Sequence, residues 1–176
     1  MEYNLTISRN QLFDLRNLTF RETPSRDDPE KVRAIVEATG FFSDEEVGIS
    51  VELVLERLSR GDESGYYFLF AEDGKGKLVG YTCYGPVTGT ESSFDLYWIV
   101  VDNDFQGYGT GKLLDSKTEE LVKKMGGTRI YAETSSREQY EPTRAFYRKA
   151  GYHEEAFLED FYAPGDGKII FTKKVV

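Results

Sequence analysis

The chain of 176 residues holds one cysteine, one histidine, one tryptophan and two methionines. With Cys83 alone it forms no internal disulfide and no cysteine-cluster zinc site, a pattern compatible with a reducing compartment. Cys83 reads as a small buried strand residue, and His153, just after Gly151-Tyr152, as an exposed residue at a turn. Long apolar runs are also missing: residues 96–101 make one of the longest, far short of the roughly 20 needed to cross a bilayer. The start Met-Glu-Tyr-Asn has no basic stretch leading into an apolar one. We therefore expect no membrane partner and a cytoplasmic location. Basic residues number 22 against 31 acidic ones, a formal net charge of −9. That balance argues against nucleic acid as a partner and favours a cationic one.

What is present, 39% hydrophobic and 14% aromatic residues, suits one soluble domain with an ordinary core. Residues 1–17 show no clear period and are expected to form an N-terminal extension docked on a single domain of residues 18–176. A short alternating strand begins at Leu18. Asp27-Asp28-Pro29-Glu30 then opens a helix that buries Val32, Ile35 and Val36 and stops at Gly40. Ser43 and Glu46 form a capping box for a second helix through Val51, Val54, Leu55 and Leu58, with Gly48 as a possible break. Two strands over 66–72 and 77–85 read as a hairpin around Asp73-Gly74-Lys75-Gly76. A strand from Phe94, a helix after the glycines at 107–111, a strand from Arg129, a helix containing Pro142, and two closing strands complete the order. Hairpins followed by two helical crossovers predict an α/β (α+β) domain with a mixed sheet.

The informative stretch is the apolar strand ending Trp98-Ile99-Val100-Val101-Asp102, followed by Asn-Asp-Phe and then Gln106-Gly107-Tyr108-Gly109-Thr110-Gly111-Lys112 and a charged amphipathic helix. Strand, glycine turn and helix make a cradle for a phosphate, because glycines allow backbone N–H groups to converge and a helix start carries a positive dipole end. The P-loop pattern fails, with Gln106 in place of its first glycine and Leu113 in place of its hydroxyl. A dinucleotide fingerprint would need glycine at Lys112, although Glu133 lies about where a ribose-binding acid would. Gln106-x-x-Gly109-x-Gly111 instead resembles the [Q/R]-x-x-G-x-[G/A] acyl-coenzyme A motif of the GNAT family of N-acetyltransferases. The late run Arg144-Ala-Phe-Tyr-Arg-Lys-Ala-Gly-Tyr is similar to that family's closing helix.

The resemblance implies a three-layer domain with about four helices and a sheet of six to seven strands, splayed between the fourth and fifth. It implies acetyl-coenzyme A as cosubstrate, no metal, and a homodimer as one possible assembly. Freed backbone groups near Trp98, Ile99, Val100 and Val101 would pair with the pantetheine arm. Amides of Gln106, Gly107, Tyr108, Gly109, Thr110 and Gly111, with Lys112, would hold the pyrophosphate, and Arg148 or Lys149 could reach the adenosine 3′-phosphate. Tyr147 falls on the family's general acid. Tyr140, a candidate cofactor contact, stands where many members carry an asparagine that touches pantetheine or product, and Thr143 where they carry alanine, which suggests an altered acceptor side.

The candidate bases are Asp95 and Glu133, with Glu91 behind them; Glu133 gains from its place at a strand end, where the splay opens, whereas Asp95 could face away. The resemblance implies an acceptor site shaped by the first two helices and the late strands; those segments here, residues 41–46 and 153–166, are rich in aromatics and acids, which suits a cationic small amine or an exposed lysine as acceptor. Two other readings remain at this level: an acyl-coenzyme A sensor without catalysis, and a nicotinamide-binding enzyme.

Overall fold

The computed structural model describes residues 14–176. Most of the expected N-terminal extension, residues 1–13, lies outside the described residues. The elements run β1 (Thr19–Arg21), α1 (Asp28–Ala38), α2 (Asp44–Arg60), β2 (Tyr67–Glu72), β3 (Leu78–Pro86), β4 (Ser93–Val101), α3 (Thr110–Lys124), β5 (Arg129–Ser135), α4 (Glu141–Lys149), β6 (His153–Ala163) and β7 (Asp166–Lys174). The strands form one seven-stranded sheet in the order β1-β2-β3-β4-β5-β7-β6.

Local chemistry sets the helix ends. Pro29 sits in the first turn of α1, where its missing N–H costs nothing. The capping box opens α2: Ser43 Oγ accepts from the Glu46 N–H at 3.3 Å, and the Glu46 carboxylate accepts from the Ser43 N–H at 2.8 Å. Helix α2 passes through Gly48 without the break the sequence suggested. A lone glycine costs a helix about 1 kcal/mol, and burial of Val47, Val51 and Val54 outweighs it. Leu55 and Leu58, expected on the buried face, are 50% and 37% exposed, because Val47, Ser50, Val51 and Val54 already fill the contact with the sheet.

Helices cover both faces of the sheet, which gives the three layers. Val32, Ile35, Val36, Val47 and Val54 of α1 and α2 pack on Phe68, Phe70, Tyr81, Cys83 and Val100. On the other face Leu114 packs with Leu69, Ala71 and Val79, while Val122 and Tyr147 pack with Phe94, Leu96, Ile130 and Phe171. Strand β3 is buried along almost its whole length, Cys83 included, and burial pushes the Cys83 thiol well above its usual range, so it stays a neutral packing group. Asp28, fully buried at the start of α1, accepts from both terminal nitrogens of Arg21 on β1 at 2.8 and 2.9 Å and from the Ser25 N–H at 2.5 Å.

Strand β4 is irregular on both of its edges. Against β3, Cys83 faces Trp98 but Tyr84 faces Leu96, so Tyr97 is an inserted residue, a β-bulge. The insertion reverses the side-chain alternation: Phe94 and Leu96 enter the α3/α4 core, whereas Val100 enters the α1/α2 core. Against β5, β4 is parallel and paired only at Ser93–Arg129, Phe94–Ile130 and Asp95–Tyr131. Beyond Asp95 the two strands part in a V. This is the splay between the fourth and fifth strands.

Candidate active site

The V has one arm, residues 96–101 of β4, whose backbone has no strand partner on the β5 side. The other arm, β5, stays paired to β7 down to Ser135–Lys168. One open strand edge inside a sheet can accept an extended ligand as an added strand. Expected cofactor residues Ile99, Val100 and Val101 lie on that edge.

At its far end β4 runs into the glycine turn. Gln106 does not point its amide into the turn's mouth. Its Nε2 donates to the Val101 carbonyl at 3.0 Å and to Asn103 Oδ1 at 3.1 Å, and Asn103 in turn donates to the Ala38 carbonyl at 2.7 Å. The turn is thus fixed to the strand end and to α1. Gly107 and Gly109 have φ of 80° and 92°, a left-handed conformation that side chains strain. Among the described residues, no acceptor takes the N–H groups of Gly107, Gly109, Thr110, Gly111 and Lys112; the next one, of Leu113, donates to the Gly109 carbonyl at 3.0 Å. Five free amides in a glycine turn and the first turn of the helix it opens suit an anion. Tyr108 lies in the same turn and is 47% exposed.

A Cβ on Gly111 would stand 3.2 Å from the Phe146 ring, so the turn seats directly on α4, beside Tyr147. Lys112 is exposed and has no ion-pair partner among the described residues. Arg148 has two: its guanidinium bonds Glu141 at 2.9 Å and also Glu154. A phosphate would have to displace them, whereas Lys149 carries no such pair among the described residues. Gly109→Val is expected to weaken phosphate-ligand binding 10- to 100-fold, about 1.5–3 kcal/mol for even one charge-assisted hydrogen bond lost, read by calorimetry with the protein still folded.

Tyr147, on α4, is 5% exposed and packs its ring on Tyr152 and Phe171, each at 5.3 Å. Burial, and then the nearby Asp115 carboxylate, push its phenol well above the usual value. Among the described residues, the buried side-chain atoms without a hydrogen-bond partner are Arg57 Nη1 and Tyr81 Oη. Tyr147 Oη bonds no described residue.

On the opposite face of the sheet stand the carboxylates. Asp95 is the last paired residue before the V, and Glu133 lies two residues beyond its partner Tyr131 on β5. Glu133 bonds Lys168 Nζ of β7 at 2.5 Å, and that ammonium also lies 3.8 Å from the centre of the Phe161 ring. Asp95 makes no hydrogen bond or ion pair with the described residues. Its pKa is raised by burial first and by Glu133 next, with Lys168 opposing. Glu91 is exposed in the turn before β4.

Aromatic rings wall this side. Tyr140 packs on Phe41 at 4.6 Å, Phe42 on Trp98 at 4.9 Å, and Tyr66 on Tyr97 at 5.4 Å. Tyr162, half-buried by this wall, has its phenol pushed up to about 12 by burial and by the Glu133 and Asp166 carboxylates. The structure thus places Tyr140 against the loop between α1 and α2. Lys168 is not legible in the sequence, since a lysine opening an apolar strand looks like any solvated charge. The described residues hold no cluster of three or more His, Cys, Asp or Glu side chains arranged as metal ligands.

An open V in a mixed sheet, a glycine turn at its mouth, and acid and carboxylate groups on its two faces define an acyl-transfer architecture. The family model for acetyltransferases of the GNAT family matches residues 11–152, and the chain belongs to that family. A crystal structure from Desulfovibrio desulfuricans, assigned to the same family, is 42% identical with a TM-score of 0.87, covering 90% of this chain and 99% of that one. An aminoglycoside 6′-N-acetyltransferase complexed with coenzyme A has a TM-score of 0.72 at 20% identity, covering 90% of this chain and 97% of that one. The ribosomal-protein-S18-alanine N-acetyltransferase from Escherichia coli has a TM-score of 0.68 at 18% identity, covering 90% and 94%. These last two show the fold alone. No curated protein gave a significant sequence match.

Proposed function

We propose that the protein transfers an acetyl group from acetyl-coenzyme A to the primary amine of a cationic acceptor, a small amine or a lysine side chain. The observation that carries this reading is the single edge running from the crotch of the V at Asp95, along residues 96–101, to five unbonded amides at the glycine turn. Its two ends match the two parts of the coenzyme: an extended arm for the strand edge and a pyrophosphate for the amides, with Lys112 adding a compact positive charge. When bound, the coenzyme supplies the acetyl group as a reactive thioester.

This chain's own residues supply position and protons. The backbone of Ile99, Val100 and Val101 holds the arm along β4. Tyr147 faces the leaving sulfur with a phenol that stays protonated through neutral pH, so it donates a hydrogen bond as charge gathers there. Its proton is held more tightly than an ordinary thiol's, so stabilisation of the sulfur outweighs full transfer. On the other face a carboxylate at the V takes a proton from the acceptor ammonium before attack.

The aromatic and acidic wall explains the acceptor class. Lys168 already lies against Phe161 and Glu133 in a way an external ammonium would copy. Thiol release across a panel of cationic, neutral and anionic acceptors tests this, with turnover expected for cationic amines. Turnover confined to neutral or anionic acceptors overturns the acceptor class. Tight coenzyme binding without release from any amine supports a sensing role instead, and calorimetric preference for NAD would remove the acetyl-transfer reading.

A further inference from the structure

We propose that Lys168 sets acceptor specificity: its ammonium fills the cation subsite of the acceptor face, so the acceptor enters with a single ammonium, the one that reacts, and linear diamines are excluded. This rests on the acetyl-transfer reading and narrows the class of amine it serves. The subsite is built on β5, β7 and the end of β6. On β5, Ile130 and Ala132 enter the α3/α4 core, so Tyr131, Glu133 and Ser135 lie on the opposite face. Asp95 shares that face, since its neighbours Phe94 and Leu96 enter the same core. Lys168 is the register partner of Ser135 across β7, which puts it on the acceptor face diagonally from Glu133.

Lys168 Nζ donates to Glu133 Oε2 at 2.5 Å and lies 3.8 Å from the centre of the Phe161 ring and 5.7 Å from that of Tyr162. A carboxylate flanked by ring faces is a receptor for an alkylammonium. Here the alkylammonium belongs to the chain itself, on a side chain only 13% exposed.

The neighbouring acids offer no second place. After burial, the carboxylates of Glu133, Asp166 and Glu46 raise the pKa of the Tyr162 phenol, so these acids border the rings. Asp166 accepts from Ser135 Oγ at 2.5 Å and pairs with Arg137 at 2.9 Å. Glu46 is closed in the capping box, where it accepts from the Ser43 N–H and Oγ at 2.8 and 3.0 Å. Glu133 has Lys168. A second ammonium on the acceptor would therefore meet acids already matched, together with the repulsion of Lys168, whose charge also acts at Asp95. Alkyl monoamines and the side chain of a lysine residue carry one ammonium and avoid that repulsion.

The test is kcat/KM for linear α,ω-diamines of increasing length, each measured against the alkylamine of the same length, in the wild-type protein, Lys168→Ala and Lys168→Ala/Phe161→Leu. In wild type each diamine is expected to serve no better, per amino group, than its monoamine. In Lys168→Ala the diamine-to-monoamine ratio should rise about tenfold or more at one or two lengths, because the second ammonium then takes the place of Lys168 at a fixed distance from the reacting one. Adding Phe161→Leu should remove most of that gain, although the charge of Glu133 remains. Calorimetric coenzyme binding checks the fold of each variant, and the wild-type ratio needs no variant.

A wild-type protein that prefers diamines overturns the assignment. So does a ratio in Lys168→Ala that stays within about twofold of wild type. A rise that is equal at every length and survives Phe161→Leu also overturns it, since that is general attraction to an added negative charge. In each of these cases the acetyl-transfer reading stands. Absence of thiol release from the wild-type protein with every amine overturns that reading, and the assignment with it.

Discussion

Tyr147→Phe is expected to lower turnover by about 10²- to 10⁴-fold while leaving coenzyme affinity and thermal stability near wild type. The substitution deletes one oxygen and keeps the ring that packs on Phe146, Tyr152 and Phe171. That oxygen bonds none of the described residues, so its removal orphans no partner among them and opens no cavity in the core. A structural role for the hydroxyl would appear as a lowered melting temperature, and a chemical one as lost thiol release at unchanged coenzyme binding. Burial and the Asp115 charge both raise the phenol's pKa, so it loses its proton only well above its ordinary value of 10.0. Tyr147 therefore adds no alkaline limb to the profile below that pH. An alkaline limb in wild type that vanishes in Tyr147→Phe would refute this placement of the proton.

Asp28→Ala is expected to cost about 3–5 kcal/mol of folding stability, measured by denaturant unfolding. Asp28 is fully buried and answers three donors at once, the two Arg21 nitrogens and the Ser25 N–H. Alanine leaves Arg21 with Glu72 alone among its carboxylates, at 2.9 Å, and takes the acceptor from the part-buried Ser25 N–H. The guanidinium also stacks on the Phe70 ring at 4.6 Å, so the loss spreads into the packing of α1 and β1 against β2. Asp28→Asn preserves the volume and one acceptor oxygen and should fall between alanine and wild type. If alanine costs under 1 kcal/mol, the pair is ornamental and the α1–β1 junction is held by apolar contact only. Activity at low temperature should survive in both variants, since Asp28 sits at the start of α1 beside β1, three strands away from the V.

The amino-acid order alone specifies the parts whose chemistry is local. A capping box, a proline in a first turn and glycines with positive φ act within a few residues, and Ser43–Glu46, Pro29 and Gly107–Gly109 stand where the spacing put them. The succession of strands and helices, the mixed sheet and the cradle after β4 were legible for the same reason. Which distant residues meet was left to the folded chain. The motif suggested a phosphate contact for the backbone N–H of Gln106, yet that group leans on the Asn103 carbonyl at 3.5 Å. Arg148 suggested a phosphate contact, yet two carboxylates hold it. Asp28 looked like one of two interchangeable acids at a helix start and proved to be a buried anchor for Arg21. Lys168 carried no signal at all, and between Asp95 and Glu133 the sequence leaned to Glu133 only for its place at a strand end. The surroundings of Lys168, Asp95 and Glu133 depend on pairing across the sheet, where register and a single inserted residue, Tyr97, set which side chains share a face. Hydrophobic period fixes a face within one strand, but only the assembled sheet fixes the charge that a carboxylate finds opposite it.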